Sequence, residues 1–258
     1  MNGQELKYWS LQGTVDFFNR VNGMPVGGNW LGDCSSIQFE PSPQKEDFKE
    51  NHTGFRTVGL SMYQGVEATI AITMHNVNTT NWELILGGDK VAQDTTAVVD
   101  KELTPTALAV GMTFLLGAFD VGAVTIEDST PAGAKTLTLG TNYTLDAKTG
   151  RGQIIDLTAG GPFVGPLLGS FTPGADVSYI KMLSNTEREQ WIHISGKNTA
   201  VQGMPRMAFD FYYAKVLPAS MQFINESRGE AVLNCTVLGD PTKPADGDLG
   251  VFGRAVMF

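Results

Sequence analysis

Apolar and polar residues alternate with period two in several stretches. The clearest covers residues 67–75, where Ala68, Ile70, Ile72 and Met74 face one side and Glu67, Thr69, Ala71, Thr73 and His75 the other. That period predicts a strand with one dry face and one wetter face. Met207, Phe209, Phe211 and Tyr213 form a second such face against Ala208, Asp210 and Tyr212, and Ile192 and Ile194 flank His193 in the same way. Further strands are expected over residues 14–21, 31–40, 231–238 and 251–258. One short helix is signalled, because Thr80-Asn81-Trp82-Glu83 fits a capping box and Leu84, Ile85 and Leu86 lead into Gly87-Gly88. The Thr80 hydroxyl and Glu83 carboxylate would satisfy orphan backbone donors, and the glycines would end the helix. So short a helix is not stable alone, so Trp82, Leu86 and their aliphatic neighbours must pack on a sheet.

Two stretches depart from this pattern. Residues 41–60 are punctuated by Pro41 and Pro43 and carry charges at Lys45, Glu46, Asp47, Lys49, Glu50 and Arg56, with Phe48, His52 and Phe55 among them. They read as a projecting hairpin or loop. Two aromatics on a solvated arm imply either a partner surface that covers them or rings that fold back onto the parent domain. Residues 103–182 shift to Gly, Thr, Ala and Pro with turn signals at Pro131-Ala132-Gly133, Lys148-Thr149-Gly150 and Gly160-Gly161-Pro162. They are expected to form a small β subdomain inserted into a discontinuous core of residues 1–102 and 183–258.

Composition narrows the function. The 258 residues suffice to bury a core, and 42% hydrophobic content with 30 glycines suits many short strands joined by turns, so the expected class is mainly β. A formal charge of −9 offers no broad basic surface for gripping phosphates. Residues 106–119 are uncharged and largely apolar, but the stretch is shorter than the roughly 20 residues that a membrane helix needs and is broken by Gly111 and Gly117. Buried β structure is expected there, and no membrane partner. The first ten residues hold no apolar signal core, so assembly in a cytoplasm is expected, and the sequons at Asn51, Asn78, Asn142, Asn225 and Asn234 are read as chance.

No reactive constellation stands out. Cys34 and Cys235 lie far apart, and His52, His75 and His193 have no second His or Cys at a ligand spacing, so no metal, cofactor or catalytic residue is expected. Nucleophile-elbow, zincin and P-loop motifs are missing. Asp240, Asp246 and Asp248 share a Gly/Pro-rich segment without the ordered ligand ladder of a calcium loop, and a solvated turn is the expectation. Glu127 and Asp128 are adjacent, which on a strand sends them to opposite faces and rules against an acid/base pair.

The order of parts is similar to that of bacteriophage major tail-tube proteins of the long, non-contractile type. The resemblance lies in Asn29-Trp30-Leu31-Gly32-Asp33, the charged hairpin, the strand through Ile70 and Met74, the capped helix, and late strands around Ser195-Gly196-Lys197-Asn198 and Phe211 to Pro218. The inserted Leu139-Gly140-Thr141-Asn142-Tyr143-Thr144-Leu145-Asp146, followed by Thr149-Gly150, resembles a stretch of the extra β domain in some of these proteins, with Asn142 where Asp is commoner. The family implies a β-sandwich or barrel with one flanking helix, hexameric rings stacked into a tube, and an arm reaching the next ring. Carried over, Phe48, His52, Phe55 and Arg56 belong to the inter-ring arm, and Glu67, Thr69, Thr73 and Asp210 are lumen candidates, since an acidic wall keeps DNA from sticking. The implied partners are further copies of the chain, a tape-measure protein, tail-terminator and tail-tip proteins, and double-stranded DNA in transit. The implied location is the virion tail. Two alternatives stand beside this: the inner tube of a contractile tail or secretion system, and a carbohydrate-binding module stacking sugars on Trp9, Trp30 or Trp191.

Overall fold

The computed structural model describes residues 8–75, 78–221, 223–224, 229–244, 247 and 249–258. The chain is mainly β, with 53% of it in strands and 3% in one short helix. The first strands are β1 (Leu11–Val21), β2 (Met24–Trp30), β3 (Cys34–Lys49) and β4 (Val58–Met74), followed by helix α1 (Thr79–Ile85) and β5 (Asp89–Ala92). The middle of the chain forms β6 (Val98–Glu102), β7 (Thr113–Leu115), β8 (Gly122–Glu127), β9 (Thr136–Leu137), β10 (Tyr143–Asp146), β11 (Arg151–Ile154), β12 (Leu168–Thr172) and β13 (Ser178–Lys181). The last strands are β14 (Arg188–Asn198), β15 (Arg206–Met221), β16 (Ala231–Val237) and β17 (Gly253–Met257).

Two compact units result, Met1–Asp89 with Ile180–Phe258, and Lys90–Tyr179. The core is discontinuous, as the sequence implies, but the second unit begins before residue 103. Part of the shift comes from β6: Leu168 and Gly169 of β12 pair with Glu102 and Lys101, which draws residues 98–102 into the second unit's sheet.

In the first unit the strands run β2-β1-β14-β15-β16-β4-β3, with β17 on β15. A bulge in β15 folds this sheet on itself. Gln190 pairs with Ala214 but Ile192 pairs with Phe211, so β15 has one residue too many. Phe209 and Phe211 point inward before the bulge, and Ala214 and Val216 after it. β2, β1, β14, β17 and the first half of β15 therefore make one layer, and the second half of β15 with β16, β4 and β3 makes the other. Val15, Phe17, Ile192 and Ile194 meet Ile70, Ile72, Leu233 and Cys235 between them. Each such side chain contributes about 1.5–3 kcal/mol by leaving water. The same bulge removes Tyr213 from the face predicted for it: Tyr213 turns outward, where its hydroxyl donates to Glu189 at 2.7 Å and its ring lies 4.5 Å from the Arg20 guanidinium.

The helix exists but is capped elsewhere. Asn78, not Thr80, is its N-cap, and the Asn78 side chain accepts from the Asn81 backbone N–H at 2.8 Å. Glu83 does not close a capping box. It accepts from Arg188 at 3.2 Å instead. Leu84 and Ile85 enter the core, with Trp82 and Leu86 packed against it, and Gly87 ends the helix at φ +56°, a conformation glycine adopts without strain. Asn81 is buried, donates to Leu31 O at 2.8 Å and so ties α1 to the turn between β2 and β3.

The second unit packs sheet β10-β11-β7 against β6-β12-β8-β9 around Phe114, Ile126, Tyr143, Ile154, Leu167 and Phe171. In the apolar stretch 106–119 only residues 113–115 are strand, and Phe114, Leu116 and Ala118 are its buried members. No described helix is long and apolar enough to cross a membrane. Asp128 is fully buried and accepts from the backbone N–H groups of Lys135 (2.6 Å), Val164 (3.0 Å) and Thr130 (3.3 Å) and from the Thr130 hydroxyl (2.5 Å). Burial raises its carboxyl pKa, but these bonds outweigh it and hold the group at about 2. This carboxylate organises three loop segments of the unit.

Candidate assembly surfaces

The most unusual surface is the outer half of the β3–β4 hairpin. Its ladder runs from Cys34 opposite Met74 to Lys49 opposite Val58, and only the β4 segment 68–74 is also paired with β16. Beyond Pro41, opposite Ala68, the hairpin has no third described strand. The part from Pro41 to Lys49 spans about 26 Å at a strand's rise per residue. The arm is therefore longer than the expected residues 41–60, since its returning strand continues to residue 67.

Register decides what the arm displays. Gln64 is an extra residue between the pairs Gln44–Gly65 and Lys45–Tyr63, and Gly65 has φ +143°. Beyond this bulge Phe48 stands directly opposite Leu60, with Met62 opposite Glu46 on the same face. Phe48, Leu60 and Met62 are 43%, 55% and 50% exposed and form an apolar ridge. Phe48 stands out in the sequence as an aromatic among charges, whereas Leu60 and Met62 do not, because only pairing aligns the three. Phe55 is exposed at the tip and not folded back onto the parent domain, and Arg56, at φ 51°, is exposed beside it.

The tip is built around Glu50, whose carboxylate accepts from the Thr53 hydroxyl, the Thr53 N–H (3.0 Å), the His52 N–H (2.9 Å) and the Thr57 hydroxyl (3.2 Å). These bonds, that of the Thr53 hydroxyl first, hold its pKa at about 2. His52 Nδ1 lies 2.8 Å from the same carboxylate, so His52 belongs to the turn. The arm ends in an ordered cap.

A second surface is the set of sheet edges left unpaired among the described strands. β2 lies at one end of the sheet, and Met24, Val26 and Trp30 are exposed on it. β3 lies at the other end, and β17 pairs with β15 alone among the described strands. Unpaired, partly apolar edges are templates for another chain's strands.

The four lumen candidates do not share a face. Glu67 and Thr69 are exposed and Thr73 half-buried on the outside of the β3–β4–β16 layer, beside Glu40 and Asn234. Asp210 lies on the outside of the opposite layer and is buried. It stands in a transverse row with Asp16, His193 and Arg254, accepting from Arg254 Nε at 2.7 Å with His193 Nδ1 at 2.6 Å. Burial raises its carboxyl pKa and the bonds to His193 and Arg254 lower it, with the lowering dominant. Its charge is neutralised in place, so Asp210 cannot serve as a free acid on a shared wall.

Trp191 is only 9% exposed and stacks on Tyr212, whose hydroxyl donates to Leu249 O at 3.0 Å, so this ring offers no sugar platform. Asp240 is fully buried against Arg20 at 2.6 Å, so the expectation of a solvated turn does not hold for it. Asp246 and Asp248, like the sequon at Asn225, lie outside the described residues. Among the described residues no group of three His, Cys, Asp or Glu side chains could hold a metal ion. Burial pushes the thiols of Cys34 and Cys235 up to about 11 and about 12, so neither is a ready nucleophile.

Residues 8–256 match the family described as "Protein of unknown function UCP028589". The chain belongs to that family. The match takes in both units and the arm. No curated protein matches the chain.

Proposed function

We propose that the chain is the repeating subunit of a tube, the major tail-tube protein of a long-tailed bacteriophage. In this reading it has no catalytic role. Six copies form a ring, and rings stack around a channel for DNA, with a tape-measure protein inside the growing tube and terminator and tip proteins at its ends. The subunit is made in the bacterial cytoplasm and resides in the virion tail. The observation that carries this reading is the arm: a hairpin that runs about 26 Å past its last third-strand contact and holds an apolar ridge in water. A two-stranded ladder is marginal by itself, so a partner surface is the natural source of its stability. The edges of β2, β3 and β17, unpaired among the described strands, support the same conclusion, because a closed ring pairs or covers edges that are hazards in a monomer.

The lumen is assigned to the outer face of the β3–β4–β16 layer. Its side chains on β3, β4 and β16 are hydroxyls, amides and small apolar groups with the carboxylates Glu40 and Glu67, and Lys215, which β15 adds to this face opposite Thr236, is held by Glu187 at 2.7 Å. The opposite face sets Lys197 across from Arg206. DNA bears about one negative charge per 1.7 Å, so cations there would hold it, whereas the acidic, hydroxylated face lets it slide.

Negative-stain microscopy of the purified chain tests the proposal: rings or tubes are expected. Deleting residues 45–56 should leave a folded subunit that no longer polymerises. Tubes at wild-type yield from that deletion would refute the role of the arm.

A further inference from the structure

We propose that the open mouth of the sandwich is the socket for the arm of a second copy of this chain. The inference rests on the tube reading and names the acceptor surface for the arm. The two layers part between β3 and the beginnings of β1 and β15, leaving a cavity of about 750 Å³ whose apolar lining includes Trp9, Leu11, Ile37, Phe39, Phe209 and Phe211, with Asp33, Ser35 and Ser36 among its polar members. Phe39 pairs with Ile70 and so shares the core face, yet Ile70 is fully buried and Phe39 is 49% exposed. Its ring meets Phe211 at 5.2 Å between centroids. The core thus runs out into solvent at this end, an apolar surface in register with the interior and without cover among the described residues.

The chain's own arm cannot supply that cover. β3 passes along the mouth and then carries the arm away in a continuous ladder to Lys49, so a return would break that ladder. A second copy can. Its ridge of Phe48, Leu60 and Met62 stands on one face of a strand pair, and a cavity of this volume lies in the range that buries a drug-sized group. The three side chains expose together about 300 Å² of largely apolar surface. A stable interface takes about 800 Å² from each partner, so one arm in one mouth makes a transient pair. Six arms presented by a ring act together, which favours addition of rings to a tube over pairing of free subunits. Ridge and socket lie on the same chain, so the contact is heterologous and continues along an axis.

Cross-linking tests the assignment. Leu60→Cys combined with Ile37→Cys, in a Cys34→Ser background, places one thiol on the ridge and one in the socket, both at exposed positions. Oxidation under assembly conditions should give a ladder of covalent multimers on a non-reducing gel. Ser61→Cys with Ile37→Cys, which moves the arm thiol to the other face of the hairpin, should stay monomeric, and Met62→Cys with Phe39→Cys repeats the test at neighbouring positions. Tubes that form while neither the Leu60 nor the Met62 pair cross-links would overturn the socket and leave the tube reading intact. Equal ladders from Leu60 and Ser61 would also overturn the socket. A wild-type chain that stays monomeric at every concentration would overturn both.

Discussion

Leu60→Ala offers a graded test of whether the arm drives assembly. The side chain is 55% exposed in the isolated chain and touches no member of the core cluster, so its loss should leave the fold intact. Burying a whole leucine side chain contributes about 1.5–3 kcal/mol. The part still exposed is a little over half, so its burial in a neighbour contributes about 1–1.5 kcal/mol, and alanine forfeits most of that. A difference of about 1.4 kcal/mol is tenfold in an equilibrium constant, so the critical concentration for polymerisation should rise about five- to tenfold. Sedimentation of the polymer over a concentration series measures it, with circular dichroism and core amide exchange as checks on folding. An unchanged critical concentration in a variant that folds normally would show that the ridge meets solvent in the polymer as well.

Two further outcomes follow from other parts of the molecule. Glu40→Lys with Glu67→Lys should assemble normally but slow DNA delivery in a reconstituted particle, and unimpaired delivery would remove the β3–β4–β16 face from the lumen. Asp128→Asn should destabilise the second unit by about 2 kcal/mol at pH 7, because an amide cannot accept all the hydrogen bonds made by the carboxylate. The carboxyl is held at about 2, below its ordinary 3.8, so its contribution is complete above about pH 4 and is lost as pH falls towards 2. Hydrogen exchange of peptides from residues 90–179 should show this acid dependence in the wild type and not in the variant. Equal profiles would contradict it.

The sequence by itself determined the strand-rich class, the dry and wet faces of β4, the existence of the helix and the discontinuous first unit. In each case the signal is local: a period of two, a short apolar run before paired glycines, or a shift in composition. The charged, proline-marked hairpin was legible for the same reason, whereas the choice between exposed and folded-back rings for Phe48 and Phe55 was not.

Tertiary structure decided what depends on partners distant in sequence. Residues 98–102 join the second unit because β12, some 70 positions later, takes them as its neighbour, and nothing in their own pattern indicates it. Glu67 and Asp210 both read as polar residues on alternating strands, but the bulge in β15 folds the sheet and sends them to opposite sides of the sandwich. The ridge of Phe48 with Leu60 and Met62 arises from register, which one extra residue at Gln64 resets. Period-two patterning tells which residues of a strand lie together on a face. Which strand a face meets, and where a layer stops covering the core, is settled only when the whole sheet closes on itself.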